Sequence, residues 1–280
     1  MIDELLEFMR AAGDIARGTQ NHLDMSHNFL KEDKVTSVVT QTDLEISRLF
    51  KSFVERRFAD LDYVIVDEES IKTLGDDPLQ TMAKSEYQFI IDPIDGTLPY
   101  SCAQALYGIS VGVFRYGKPY LGVLYMPATH EIVYYDGNKV HLLRQAFQPE
   151  EEDVEVNAVP CRNCPMIFGH PWNTPLTPDY DMSQFVFVDY YSAVVKLLYL
   201  ATHRARAYTC HMSLWDMAAG WTICNAVGIK LYHFQSGREI TEVKAEDFDN
   251  NLRLKDVYIF CAPEDLPEMQ KMMSVAPKLR

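Results

Sequence analysis

Two rhythms of apolar and polar residues run along the chain, one helical and one of strands. From Ile2 to about Thr19 the apolar residues Leu5, Phe8, Met9, Ala12, Ile15 and Ala16 share one helical face, with Asp3 and Glu4 ahead of them. This spacing predicts an amphipathic packing helix whose opening acids suit the dipole. After a polar stretch between Lys31 and Val39, Thr42-Asp43-Leu44-Glu45 reads as a capping box with Thr42 at the N-cap. The helix it opens has Ile46, Leu49, Phe50, Phe53 and Val54 on its apolar face and closes on Arg56-Arg57.

The second rhythm begins at Tyr63-Val64-Ile65-Val66, a short buried strand that runs into Asp67-Glu68-Glu69-Ser70. Residues 72–86 are polar, carry Asp76-Asp77-Pro78, and read as a loop. Phe89-Ile90-Ile91 is the next strand end. From Tyr107 to Asp136 the pattern is one of hairpins: Gly108–Phe114, a turn at Arg115–Lys118, a return over Pro119–Met126, and Ile132–Tyr135 closed by Asp136-Gly137-Asn138. Tight turns between alternating strands predict an antiparallel sheet. Residues 145–165 say least, although the run Glu150–Asp153 reads as a solvated seam between two halves.

Further on, Phe185–Val188 is a strand, and Ser192 to about Thr202 a helix with Val194, Val195, Leu197, Leu198 and Ala201 inward. A strand near Ala205–His211 leads to a helix at Leu214, where Ala218, Ala219 and Gly220 permit another element to approach closely. Strands at Gly228–Phe234 and Val257–Cys261 and a helix from about Glu264 complete the pattern. The expected organisation is a single domain, 1–280, of two merged halves, about 1–145 and 146–280.

Composition narrows the function. The formal net charge of −14 argues against nucleic acid, whose phosphates call for Lys and Arg surfaces. A small anionic substrate stays open, because a bound divalent cation reverses the local field. The opening Met1-Ile2-Asp3-Glu4 is acidic and no long apolar run follows, so neither a signal peptide nor a membrane span is expected and the location is expected to be the cytoplasm. Of the six cysteines only Cys161 and Cys164 are close neighbours; with no second pair they read as loop thiols rather than a zinc site.

The chemistry concentrates in Phe89-Ile90-Ile91-Asp92-Pro93-Ile94-Asp95-Gly96-Thr97. Pro93 biases Asp92 toward an extended backbone and fixes its own φ, so the chain turns here in a defined way. Gly96 removes a Cβ, and Thr97 reads as the N-cap of a short helix with Pro99 in its first turn. Acids at a strand end beside a helix N-terminus offer cation ligands and anion-binding amides together.

Taken singly, Asp43 and Asp216 read as dipole-compensating acids in the first turns of their helices, and Asp-x-x-Asp-Gly as an acidic turn. Taken together, Asp43, Glu68, Asp92, Asp95 and Asp216 all stand at strand tips or helix starts. Converging without cations they would raise one another's pKa values. Mg²⁺ resolves this, since it favours a few carboxylates, water and substrate phosphate oxygens. The eight histidines form no i, i+4 zinc pair, and no Ser-His-Asp or Cys-His signature competes.

With these motifs in hand, the sequence resembles the inositol monophosphatase superfamily of Mg²⁺-dependent, lithium-sensitive phosphatases. Asp92–Thr97 matches its Asp-Pro-Ile/Leu-Asp-Gly-Thr, Trp215–Gly220 its Trp-Asp-x-Ala-Ala/Gly-Gly, Glu68-Glu69-Ser70 its metal-binding loop, and Thr40-Gln41-Thr42-Asp43 the Thr-x-x-Asp before its second helix. The hairpin from Gly117 to Pro127 is also family-like, and the resemblance covers roughly residues 34–135 and 185–225.

The resemblance implies an α/β (α+β) layered sandwich, with an antiparallel sheet in the N-terminal half and a mixed sheet in the C-terminal half. It implies a phosphomonoesterase using two or three Mg²⁺ ions, with Glu68, Asp92, Asp95, Asp216 and the Ile94 carbonyl matching metal ligands. Thr97, partnered by Asp43, together with Glu68 matches the group that activates the attacking water. The amides of Gly96 and Thr97 match the phosphate cradle, beside Asp95 and Asp216; Ser192 and Ala193 match a substrate edge. The partner is a small phosphate ester, not nucleic acid or membrane, with homodimerisation left open. Inositol phosphate, 3′-phosphoadenosine 5′-phosphate, fructose 1,6-bisphosphate and histidinol phosphate all remain open substrates.

Four positions depart from the pattern. Asp67 replaces a glycine before the paired glutamates, Pro99 a common asparagine, and Tyr191 the glycine of a Gly-Ser-Ala stretch. Thr209 falls where inositol-specific members carry a glutamate, which puts inositol phosphate itself in doubt.

Overall fold

The computed structural model describes residues 1–20, 29–30, 38–39, 41–158, 164–169 and 184–274. Helix α1 (Ile2–Gln20) is followed by a two-residue ladder of β1 (Phe29–Leu30) with β2 (Val38–Val39), then α2 (Gln41–Arg57) and β3 (Tyr63–Asp67). A 3₁₀ segment (Glu68–Leu74) and α3 (Pro78–Lys84) lead to β4 (Tyr87–Asp95) and the short α4 (Thr97–Ser101). Five strands then follow one another: β5 (Gly108–Arg115), β6 (Lys118–Met126), β7 (Glu131–Tyr135), β8 (Val140–Arg144) and β9 (Glu152–Val156). The remainder is β10 (Met166–Phe168), β11 (Val186–Val188), α5 (Ala193–Ala201), β12 (Ala207–Cys210), α6 (Leu214–Ala226), β13 (Lys230–His233), β14 (Tyr258–Cys261) and α7 (Leu266–Met272).

Strands β3 to β9 form a seven-stranded sheet in sequence order, antiparallel except for the pair β3–β4. The second sheet is mixed, with strand order β11-β10-β12-β14-β13. Strand periodicity assigns the faces of the first sheet. Phe89 and Ile91 join Leu5, Phe8, Phe50 and Phe53 under α1 and α2. Ile90, Phe114 and Leu124 look the other way, into a layer of α5 and α6 that the second sheet closes with Phe168, Tyr208 and Phe260. Ile167, Ile259 and Cys261 on the far face pack with Leu266 and Met269 of α7. Helices and sheets thus alternate in layers.

Buried almost throughout, α6 has apolar residues all round, as a central helix must. Its small residues bring it onto the sheet: a Cβ on Gly112 would meet Ala218 Cβ at 2.7 Å. Ser110 of β5 fixes the start of α6 by donating its hydroxyl to the Trp215 carbonyl at 3.2 Å. Among the described residues no helix is long and apolar enough to cross a membrane.

Four local expectations need correction. The stretch 72–86 is not a loop, because a parallel β3–β4 pair needs a crossover, and the end of the 3₁₀ segment and α3 lie in it. Thr42 is not an N-cap. Helix α2 already begins at Gln41, and the buried Thr42 hydroxyl accepts from the Tyr100 hydroxyl at 3.2 Å. Thr97 is not an N-cap either: that place belongs to Gly96 in the left-handed region, φ 83° and ψ 42°. Finally, the charged run at 150–153 does not separate the sheets. Its last two residues open β9, the exposed edge strand, and the first sheet continues to Val156. Cys161 and the residues 31–37 and 40 lie outside the described residues, while the Cys164 thiol donates to the Arg204 carbonyl at 3.3 Å.

Candidate active site

Asp92 and Asp95 belong to one strand, where residues three apart should face opposite ways. The register resolves this: Asp92 pairs with Ser110 and Asp95 with Gly108, so β4 gains a residue over β5 between the two acids. This bulge, at the proline that cannot donate to the ladder, turns both carboxylates to the same place. Asp216 in the first turn of α6 meets them, and one oxygen from each of the three lies within 4.8 Å of the others. Asp216 also caps its own helix, accepting the Ser213 amide at 2.9 Å. Structural and site roles coincide in that residue.

Asp43 is buried in the first turn of α2, and Glu68 stands half-buried where β3 passes into the 3₁₀ segment. They sit outside the closest group, yet the charges of both act on Asp92. Thr97 donates its hydroxyl to the Ile94 carbonyl at 3.0 Å, which places the threonine and that carbonyl side by side at the start of α4.

All three clustered acids bind protons more tightly than ordinary carboxyls. Burial raises Asp92 well above the usual range, and Glu68, Asp95, Asp216 and Asp43 add to it. Burial also raises Asp95, opposed by the Ser192 hydroxyl and the amides of Val194 and Ala193. Asp216 is pushed up to about 8 by burial and by Asp95 and Glu68. Among the described residues no hydrogen-bond partner reaches the buried Asp92 Oδ1. An orphaned carboxylate oxygen inside a converging set of hard oxygen donors fits a divalent cation such as Mg²⁺.

Ser192 and Ala193, expected at a substrate edge, stand at the start of α5 against Asp95. Both are buried, and Ser192 Oγ, the N-cap of α5, donates to Asp95 Oδ2. The Val194 amide donates to the same oxygen at 2.7 Å. The N-terminus of α5 therefore seats Asp95. Thr209 is buried as well, its hydroxyl directed at the Phe168 carbonyl 3.5 Å away. Asp67 is extended, at φ −137°, and its carboxylate is taken by the hydroxyls of Ser47 and Ser70 and the Glu69 amide, so it braces the loop.

Lys196, one turn into α5, was not singled out by the sequence pattern. It is buried, pairs with Asp189 at 2.8 Å, lies 4.7 Å from the centre of the Tyr208 ring, and its charge opposes the rise of Asp95. A lone lysine within Val194-Val195-Lys196-Leu197-Leu198 was the available signal.

Layered sheets and helices with this acidic cluster at a strand–helix junction define a phosphatase of small phosphate esters. The family model described as the inositol monophosphatase family matches residues 2–265, and the chain belongs to that family. It is similar to an inositol-1-monophosphatase of Bacillus subtilis, 28% identical over 241 residues, which cover 81% of this chain and 83% of the relative. A solved inositol monophosphatase of Thermotoga maritima shares the fold with a TM-score of 0.68 at 20% identity, over 96% of this chain and 95% of that one. A further structure, described as an IMPase/NADP phosphatase complexed with Mg²⁺ and phosphate, aligns with a TM-score of 0.65 at 17% identity over 90% of each chain.

Proposed function

We propose that this phosphatase cleaves a compact phosphate monoester at the Asp92–Asp95–Asp216 cluster, with two or three Mg²⁺ ions held there. The observation that carries this is the orphaned Asp92 oxygen inside a largely buried group of carboxylates that charge alone would disperse. Asp92, Asp95, Asp216, Glu68 and the Ile94 carbonyl are the residues assigned to the metal. When bound, Mg²⁺ supplies Lewis-acid polarisation of the phosphoryl group and lowers the pKa of water.

The protein's own groups orient the reaction. The Thr97 hydroxyl donates a hydrogen bond to the Ile94 carbonyl, leaving its lone pairs to accept from the attacking water. Glu68 is the group we assign to take the water's proton, with Asp43 assigned to support Thr97. The Gly96 and Thr97 amides are assigned to the phosphate, and Ser192 and Ala193 hold Asp95 in register. The net charge of −14 disfavours a two-metal nuclease, and retention of all five acids disfavours a non-catalytic role. The cytoplasm is the location we assign, and homodimerisation is left open.

The test is phosphate release from inositol 1-phosphate, 3′-phosphoadenosine 5′-phosphate, fructose 1,6-bisphosphate and histidinol phosphate, in Mg²⁺ and in EDTA. Release that requires Mg²⁺ is the expected result. Equal release in EDTA, or none from any ester, would overturn the reading.

A further inference from the structure

A cleft of about 370 Å³ opens beside the acidic cluster, lined by Leu98, Pro99, Cys102, Leu106, Tyr190 and Tyr191, with Asp189 and Gln104 at its polar positions. Its size falls in the range of small-molecule sites, about 300–1,000 Å³. Two of its lining residues, Pro99 and Leu106, abut the glycine assigned to the phosphate. A Cβ on Gly96 would meet Pro99 Cγ at 3.3 Å, the Leu106 carbonyl oxygen at 3.0 Å and Ser192 Cβ at 3.0 Å. An alcohol esterified to a phosphate at Gly96 and Thr97 has this cleft as a neighbour.

The lining is apolar and aromatic, and its geometry is held from behind. Tyr190 packs its ring against Phe168 and Tyr199, with centroids 5.4 Å and 6.1 Å away. Tyr191 turns outward, 59% exposed, on a left-handed backbone with φ 53° that a tyrosine rarely adopts. Asp189 fixes that conformation: its Oδ1 accepts the Tyr191 amide at 3.1 Å and Lys196 Nζ at 2.8 Å. Its charge is thus matched by Lys196, which leaves Oδ2 and the Gln104 side chain as the polar groups of the lining. A polyol here would find few partners for its hydroxyls along a mostly apolar lining, whereas a planar π-system would gain a stacking surface.

We infer that the substrate's alcohol carries a planar aromatic ring, of a nucleoside or an aryl group, and that this cleft holds it with Tyr191 as the aromatic contact. The inference rests on the phosphatase reading, which supplies the anchored phosphate.

Adenosine 5′-monophosphate and ribose 5-phosphate share the reacting carbon and differ by the planar base, so their kcat/KM ratio in Mg²⁺ isolates the cleft. The wild-type protein is expected to favour the nucleotide at least about tenfold, mainly through KM. Benzyl phosphate separates the sources: use comparable to the nucleotide assigns any planar ring, and use comparable to ribose 5-phosphate assigns the nucleoside. Tyr191→Gly suits the left-handed backbone and should stay folded, with the ratio reduced to within about threefold of unity, while Tyr191→Phe keeps it. Equal use of the two esters by the wild-type protein, or a Tyr191→Gly variant that keeps the wild-type ratio, overturns the inference. If no ester releases phosphate, the phosphatase reading fails instead. Saturation-transfer NMR of adenosine on the Mg²⁺-loaded protein then decides the cleft: ring signals abolished by Tyr191→Gly support it, and signals absent or unchanged overturn it.

Discussion

Ser192 donates its hydroxyl to Asp95 across 97 residues of sequence, tying the first turn of α5 to the end of β4. The same hydroxyl accepts the Val195 amide at 3.2 Å, so one side chain both caps a helix and aims a carboxylate. Ser192→Ala removes both contacts and should cost about 1–2 kcal/mol of stability. Turnover should fall with it, because Asp95 loses a fixed direction. Urea unfolding with parallel phosphate-release kinetics checks this; a variant as stable and as active as the parent would show that the Val194 amide suffices.

Asp95→Asn should reduce turnover at least about a hundredfold and weaken the response to Mg²⁺. The amide keeps the shape and can still meet Ser192, so circular dichroism should report an intact fold. The reading of Asp95 as a metal and reaction-centre residue fails if a folded Asp95→Asn protein turns over at near the wild-type rate.

The clustered acids make the metal-stripped protein sensitive to alkali. A carboxyl whose folded pKa is raised contributes stability below its unfolded pKa and loses that contribution as pH rises through the folded value. For Asp216 the window runs from 3.8 to about 8, and Asp92 and Asp95 shift in the same direction. In EDTA the melting temperature should therefore decline between about pH 5 and about pH 8, and Mg²⁺ should largely remove that decline. Asp216→Asn should flatten the EDTA profile. Parallel pH profiles of the parent with and without Mg²⁺ would contradict it.

Thr209→Glu should fail to create an inositol preference, because position 209 is closed. The residue is 2% exposed, and its hydroxyl would lie 2.6 Å from a Cβ on Gly169. Burying a carboxylate there should cost more than about 2 kcal/mol. Thermal unfolding together with kcat/KM for inositol 1-phosphate distinguishes a destabilised protein from one that has gained a substrate contact.

Li⁺ should slow turnover more than K⁺ does at equal concentration. It approaches Mg²⁺ in size with half the charge, and Asp92, Asp95 and Asp216 form a small oxygen-rich site. Phosphate release at saturating substrate and Mg²⁺, with LiCl against KCl, reads the difference. Identical slowing by the two salts up to tens of millimolar would contradict a site open to the smaller ion.

Much of this was legible where a residue's local neighbours decide its role. The apolar run before Asp92, the proline and glycine after it, and the first-turn position of Asp216 are all visible within a few letters. The role of Ser192 was not, because its partner is set by the docking of α5. Helix α3 escaped notice because Asp77 and Lys84 flank a short segment that buries only Pro78 and Met82, too few for a periodicity. Tyr191 was visible as a departure, but its outward ring and its tie to Asp189 depend on backbone torsions the letters do not carry.

The bulge between Asp92 and Asp95 is counted in residues, not in chemistry. Because side chains alternate along a strand, removing Pro93 or Ile94 would erase the bulge and set the two acids two residues apart in a regular ladder, still on one face but without the local turn that brings the Ile94 carbonyl to the Thr97 hydroxyl. Substitution and length change therefore meet different limits at this strand end. Ile94 offers its main chain and an apolar side chain that Val or Leu could replace. No replacement can compensate for a lost position. Across descendants of this chain, the apolar letter at position 94 has room to drift, while the two acids and the extra residue between them do not.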